Sequence, residues 1–86
     1  MYKNVMEHVV EQKLDEIMKS YDGCKCERCR SDIAAITLNN LPPRYAVTDE
    51  GVLFTKVQCL KTRYEFEVMK QIALAMTIVR ENPNHD

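Results

Sequence analysis

The sequence predicts a mainly α-helical domain of about four helices. Apolar residues recur at spacings of three and four along several segments, which is the pattern of amphipathic helices. No set of alternating apolar runs provides the strands of a sheet. The chain has 86 residues, so residues 1–86 form one domain. A domain of this size buries only about 60% of the surface of its unfolded chain, and we expect a metal, disulfides or a partner subunit to stabilise it.

The first two helices are predicted over residues 2–20 and 27–38, and each presents an apolar face. Gly23 is suited to a left-handed conformation that caps the end of the first helix. The second helix must end before Pro42, because residues that precede proline are driven out of the α region. A short extended segment follows through Val47.

Residues 48–57 have two interpretations. Thr48 is a candidate cap for a third helix over residues 49–60. Alternatively, a turn joins two strands at residues 45–47 and 52–57. The helix is favoured, because a lone hairpin is at best marginally stable and the sequence offers no further strands to extend it.

The last helix is predicted over residues 62–80 and is the most hydrophobic. Within residues 68–79 only Lys70, Gln71 and Thr77 are polar. A helix that is apolar on most sides is buried on most sides. This pattern predicts a homodimer that packs the helix between two subunits, and the alternative is the central core helix of a monomer.

The charge and the hydropathy pattern exclude several classes of protein. The net charge is −1, so a contact with nucleic acid would need a local basic patch, and direct DNA binding ranks last. No window reaches the roughly 18 apolar residues of a membrane span, and the first residues do not resemble a signal peptide. We therefore expect a cytoplasmic protein with reduced thiols. Residues 82–86 are predicted to be a frayed polar tail.

The cysteines predict a metal site. Cys26 and Cys29 form the C-x-x-C hook that binds zinc, and Cys24 and Cys59 complete four sulfur ligands. We predict one structural zinc ion per chain, with His8 as the alternative to Cys59. The other interpretations are a redox-active C-x-x-C pair, which would make the protein a thiol oxidoreductase, and cysteines without a role.

Catalysis is not expected. The sequence has no glycine-rich phosphate loop, no H-E-x-x-H motif and no nucleophile with a histidine beside it. A zinc ion bound by four thiolates also keeps no open position for water.

A second group of polar residues surrounds the end of the second helix and the Pro-Pro connector. The group is either a helix terminator with a rigid turn or a nucleotide pocket. Arg44 can offer a planar fork to a phosphate or a guanine edge, Asp32 can accept from guanine, and Tyr45 provides a stacking face. The candidate ligand-binding residues are Arg28, Asp32, Thr37, Asn39, Arg44 and Tyr45.

The cysteines and the residues around the Pro-Pro connector together resemble the motifs of a known family. The motif C-x-C-x-x-C, together with L-N-x-L-P-P-x-Y at residues 38–45, closely resembles the ComFB late-competence proteins of bacteria, over nearly the whole chain. The resemblance implies a small helical homodimer with a cysteine-bound zinc, linked to DNA uptake, and some members are cyclic dinucleotide receptors. The residues that match the family motifs are Cys24, Cys26, Cys29, Asp32, Asn39, Pro42, Pro43 and Tyr45.

We therefore predict a non-enzymatic, zinc-binding regulatory or accessory protein of bacterial competence that senses a cyclic dinucleotide such as cyclic di-GMP. The alternative is a structural adaptor of the DNA-uptake machinery that binds protein partners and no nucleotide.

Overall fold

The computed structural model describes residues 1–82, which form four helices and one very short antiparallel ribbon. The helices confirm the mainly α fold class. The third one confirms a helix rather than a hairpin after Thr48. The elements are β1 (Lys3–Asn4), α1 (Val5–Met18), α2 (Glu27–Asn39), β2 (Tyr45–Ala46), α3 (Asp49–Cys59) and α4 (Thr62–Glu81).

The ribbon explains why α1 begins later than the predicted residue 2. Lys3 pairs with Ala46 and Asn4 pairs with Tyr45, so the residues before α1 are extended. The Asn4 side chain then caps the helix by accepting the backbone N–H of Met6 at 3.2 Å. The sequence showed no further strands to extend a hairpin, and it could not indicate β1, because a strand of two residues leaves no periodic pattern.

Side chains also cap the N-termini of the next two helices. The Cys26 sulfur accepts the backbone N–H of Cys29 at 3.4 Å at the start of α2. The Thr48 hydroxyl accepts the backbone N–H of Gly51 at 3.0 Å at the start of α3, as predicted. These caps satisfy N–H groups that have no partner within the helix.

Gly23 does not adopt the left-handed conformation that the sequence predicted. No residue of the range 1–82 has a positive φ, and α1 ends at Met18, with Lys19 as its right-handed C-cap. A Cβ at position 23 would overlap the ring of Tyr21, so a larger residue there would require this ring to shift. The local feature at Gly23 is therefore this close approach of the Tyr21 ring to the backbone, and not a left-handed helix cap.

The core lies where α1, α2 and α4 meet, and α4 packs mainly against α2. Its fully buried large side chains make the largest contribution, at about 1.5–3 kcal/mol for each Leu, Ile or Val. The α4 residues on this side form a single stripe. The largest fully buried side chains are Leu14, Ile33, Ile72, Val10, Thr37 and Cys29.

The outer side of α4 is apolar but is not buried within one chain. Phe66, Met69, Leu74 and Ile78 are each 44–61% exposed. Within one chain the other elements cover only the inner stripe of α4, so burial on most sides would require a second subunit. Packing between two subunits stays a prediction.

No helix within residues 1–82 is long and apolar enough to cross a membrane. Residues 83–86, which belong to the predicted polar tail, lie outside the described residues.

Candidate metal centre and ligand site

Three of the four cysteine sulfurs form a cluster, which we call the thiol cluster and define as Cys24, Cys26 and Cys29. Their sulfur atoms all lie within 4.8 Å of one another. Cys24 and Cys26 are exposed in the loop between α1 and α2, and Cys29 is buried in the first turn of α2. The predicted C-x-C-x-x-C grouping is thus present in space as well as in sequence.

The start of α2 places the cluster at a favourable position for negative charge. The N-terminal dipole of a helix stabilises thiolates, and the Cys26 sulfur already accepts the Cys29 N–H. Burial raises the pKa of the Cys29 thiol to about 12, and the thiols of Cys24 and Cys26 act in the same direction. Without a cation, Cys29 is therefore protonated at neutral pH, and a metal that binds there must displace the proton.

The chemistry of the donor set fits a soft or borderline metal ion. Three thiol sulfurs at this separation can bind one ion, and thiolate is a preferred ligand of zinc. Of the basic residues beside the cluster, Arg30 is already engaged: its Nη2 lies 2.7 Å from a Glu11 oxygen and 2.9 Å from an Asp15 oxygen. Its charge is therefore shared with α1, which weakens the local basic patch that DNA binding would need.

The structure does not bring Cys59 to the thiol cluster. Cys59 is buried at the end of α3, with its Sγ 3.8 Å from the Sδ of Met6 in the first turn of α1. The cluster lies further along α1, since Arg30 contacts Glu11 and Asp15. Burial raises the pKa of the Cys59 thiol, and nearby Arg44 opposes this shift. His8, the alternative ligand, is exposed on α1 and is also outside the cluster.

The candidate ligand-binding residues do not form one pocket. Arg28 lies in the first turn of α2 and Asn39 is its last residue, which separates them by about 16 Å along the helix axis. Asp32 is half-buried between these ends. Thr37 is fully buried, and its hydroxyl donates to the Ile33 carbonyl at 2.8 Å, so it faces the core.

Arg44 and Tyr45 lie in a different environment, after the Pro-Pro connector. The guanidinium carbon of Arg44 lies 4.8 Å from the centre of the Tyr64 ring. Within residues 1–82 the guanidinium makes no ion pair and no hydrogen bond. Tyr45 is exposed and contacts Tyr2 edge to face, with ring centres 5.7 Å apart. Tyr2 and Tyr64 were not predicted, because they are distant in sequence and only the fold brings them to this site.

Two cavities adjoin these elements. The smaller one, of about 80 Å³, lies beside Arg44 and is lined by Pro42, Tyr64 and Glu67 among others. The larger one, of about 300 Å³, is an apolar groove between α1, α3 and the start of α4. Lys13 stands at its edge, 3.2 Å from Glu65 and 3.3 Å from Glu16. The sequence could not indicate this groove, because three separate helices contribute to it.

The four helices and the thiol cluster at the start of the second helix define a small, mainly α-helical protein with a candidate metal centre. The family model described as late competence development protein ComFB matches residues 3–83. The chain therefore belongs to the ComFB family.

Known relatives agree with this assignment. The competence protein ComFB of Bacillus subtilis (strain 168) is 26% identical to this chain over 85 residues, which are 98% of this chain and 87% of that protein. A solved structure of the late competence protein ComFB from Bacillus subtilis superposes with a TM-score of 0.88. It is also 26% identical, and the match covers 98% of this chain and 93% of the other.

Proposed function

We propose that this protein is a non-enzymatic, zinc-binding regulatory or accessory protein of bacterial competence. The observation that carries the proposal is the thiol cluster, whose sulfurs lie within 4.8 Å of one another in a chain of the ComFB family. Zinc bound by four thiolates stabilises a small fold rather than performing chemistry, and this cluster provides three of the four sulfurs.

The proposed ligands are Cys24, Cys26 and Cys29, with one zinc ion per chain. Zinc would join the exposed loop after α1 to the first turn of α2, in a domain that has little core of its own. Cys59 can be the fourth ligand only if its sulfur leaves Met6. A solvent ligand in the fourth position would leave the site open, and catalysis would then no longer be excluded by a closed four-thiolate site. Elemental analysis of untagged protein tests the site: about one zinc per chain supports it, and protein without stoichiometric zinc overturns it.

A cyclic dinucleotide is the ligand that we propose for the region around Arg44. The guanidinium is half-buried, stacks on Tyr64 and has no anionic partner within residues 1–82. A planar cation of this kind can bind a phosphate or the edge of guanine, and the exposed ring of Tyr45 lies in the same connector. Arg28 and Asn39 lie near opposite ends of α2, and Asp32 lies between them. These residues would therefore contact the ligand only in a second region, apart from Arg44. Thr37 would not contribute.

Titration calorimetry of the zinc-loaded protein with cyclic di-GMP tests this part of the proposal, with cyclic di-AMP and GMP as controls. We expect saturable binding that is lost in Arg44→Gln and kept in Arg63→Gln, which removes an exposed arginine one residue before Tyr64. If Arg44→Gln binds as well as the unmodified chain, the ligand site lies elsewhere. If none of the three nucleotides binds, the proposed cyclic dinucleotide function is wrong.

A protein adaptor of the DNA-uptake machinery is the second candidate function. The exposed apolar residues favour it, because a monomer rarely leaves so many large apolar side chains in water. They include Leu53, Phe54, Val57 and Leu60 on α3 and Phe66, Met69, Leu74 and Ile78 on α4. A homodimer through α4 would cover part of this surface and leave the rest for a protein partner.

A further inference from the structure

We propose that Arg80, in the last turn of α4, is a positioning residue for the thiol cluster. It fixes the loop that carries Cys24 and Cys26 in the place where these sulfurs can meet Cys29. This inference rests on the proposed metal site and adds a residue that is distant from the cluster in sequence.

Arg80 contacts two consecutive residues of the loop. Its Nη2 donates to an Asp22 carboxylate oxygen at 2.6 Å, and its guanidinium carbon lies 5.2 Å from the centre of the Tyr21 ring. These residues precede Cys24 by two and three positions. The contact therefore joins the end of α4 to the segment immediately before the first sulfur.

The Tyr21 ring transmits this contact to the backbone. The ring lies so close to Gly23 that a Cβ at that position would overlap it. The ring therefore restricts the positions open to Gly23, which is bonded to Cys24. Arg80, Tyr21 and Gly23 thus form a continuous set of contacts that ends at the thiol cluster.

The other side of the cluster is fixed independently. Cys29 is 1% exposed and belongs to the core, and the next residue, Arg30, pairs with Glu11 and Asp15 on α1. One sulfur is therefore held by α2, and two are exposed on the loop. The position of the loop decides whether the cluster is already assembled when a metal arrives, and preassembled ligands bind more tightly because less conformational entropy is lost.

Because the Arg80–Asp22 ion pair is exposed, a positioning role of Arg80 can be distinguished from a general effect on stability. The side chains of Arg80 and Asp22 are 55% and 88% exposed, and exposed ion pairs contribute little to the stability of a fold. Removal of Arg80 should therefore leave the metal-free protein nearly as stable as before. Arg80 contacts no sulfur directly, and an exposed contact can change the zinc affinity by only as much as it stabilises the loop, so we expect a loss of roughly 3-fold.

The test compares the full chain with Arg80→Gln, Arg80→Lys and Asp22→Asn, and uses Arg63→Gln as a control for the loss of an exposed arginine. Zinc affinity and the rate of zinc release are measured by competition with a chromophoric chelator. Melting of the metal-free proteins is measured in parallel. The absorption of the cobalt-substituted proteins reports how many thiolates bind the ion.

We expect Arg80→Gln to bind zinc roughly 3-fold more weakly and to release it faster, with a nearly unchanged melting temperature of the metal-free protein. Arg80→Lys should recover part of the affinity, and Asp22→Asn should lose affinity in the same direction. Arg63→Gln should behave as the unmodified chain.

Unchanged zinc affinity and release in Arg80→Gln would overturn the positioning role while leaving the metal site intact. If Arg80→Gln loses zinc affinity because its metal-free form is less stable, the positioning role is overturned as well. An unmodified chain that binds no zinc would overturn both this inference and the proposed metal site. If Arg80→Gln does not fold, Asp22→Asn decides, since it changes only the exposed loop side of the contact.

Discussion

The Asn4 side chain accepts the backbone N–H of Arg44 at 2.8 Å, and this bond joins the start of α1 to the connector after the two prolines. The same oxygen accepts the N–H of Met6, and the Arg44 carbonyl accepts the N–H of Val5 at 2.6 Å. One asparagine therefore caps α1 and fixes the residue whose guanidinium we propose as a ligand contact.

Asn4→Ala should lower the free energy of unfolding by about 1–3 kcal/mol, because a helix cap is lost and the Arg44 N–H loses its acceptor. Thermal or urea unfolding measures the change. Asn4→Asp keeps the acceptor and should lose less. The matched control is Asn40→Ala. The Asn40 side chain donates one exposed hydrogen bond, to the Ile36 carbonyl at the end of α2. Equal losses in Asn4→Ala and Asn40→Ala would contradict the double role of Asn4.

Cys26→Ser should abolish stoichiometric zinc binding and the stabilisation that zinc provides. A ligand present at about 1,000 times its dissociation constant stabilises a fold by roughly 4 kcal/mol, so a chelator should lower the melting temperature of the unmodified chain and leave that of Cys26→Ser unchanged. Lys25→Ser changes the neighbouring loop residue and is the control. A Cys26→Ser protein that keeps one zinc per chain would exclude Cys26 as a required ligand.

Cys59→Ala tests whether Cys59 is the predicted fourth sulfur ligand or only a residue of the core. Since its sulfur contacts Met6 and not the thiol cluster, we expect the variant to keep one zinc per chain and to lose stability through a small cavity. Elemental analysis and the cobalt spectrum measure the outcome. Loss of zinc together with one thiolate band would mean that Cys59 is a ligand after all.

The buried thiol of Cys59 should also make stability depend on alkaline pH. Burial raises its pKa above the ordinary value of 9.0, so above pH 9 the unfolded chain loses this proton more readily than the folded chain. The unfolded state then binds fewer protons, and the free energy of unfolding falls as the pH rises. The contribution is fully present below pH 9.

Urea unfolding of metal-free protein between pH 8 and pH 10 measures this effect, and Cys59→Ala is the comparison. The unmodified chain should lose stability more steeply than the variant across this range. Parallel pH profiles would show that the Cys59 thiol has an ordinary pKa in the folded protein.

The sequence predicted the helices well because their information is local. The Thr48 cap and the prolines after α2 determine helix ends within a few residues. The C-x-C-x-x-C motif placed its sulfurs together for the same reason, since one loop and one helical turn bring them close. Local spacing is sufficient for such features.

Features that depend on tertiary contacts were not predictable. Cys59 was grouped with the other cysteines by composition, but helix packing places it beside Met6. Thr37 looked like a polar site residue, but its hydroxyl bonds the carbonyl four residues earlier, which allows it to be buried. Tyr64 supports Arg44 from a helix that begins after the whole of α3.

The exposed outer side of α4 provides the last prediction, which concerns the proposed homodimer. Ile78 is 47% exposed and lies on the side of α4 away from the core, as does Leu74. In a dimer packed through this side, Ile78→Glu would place a charge in an apolar interface, where burial without a partner is costly. We therefore expect Ile78→Glu to shift the molar mass measured by light scattering from that of a dimer to that of a monomer of 10.0 kDa.

Ala35→Glu is the matched control, because it adds the same charge at an exposed position of α2. It should keep the mass of the unmodified chain, and circular dichroism should show that both variants remain helical. A dimer that persists in Ile78→Glu would place the interface elsewhere, with the exposed apolar residues of α3 as the next surface to change. A monomeric unmodified chain would exclude the homodimer and leave the outer side of α4 available to a different protein partner.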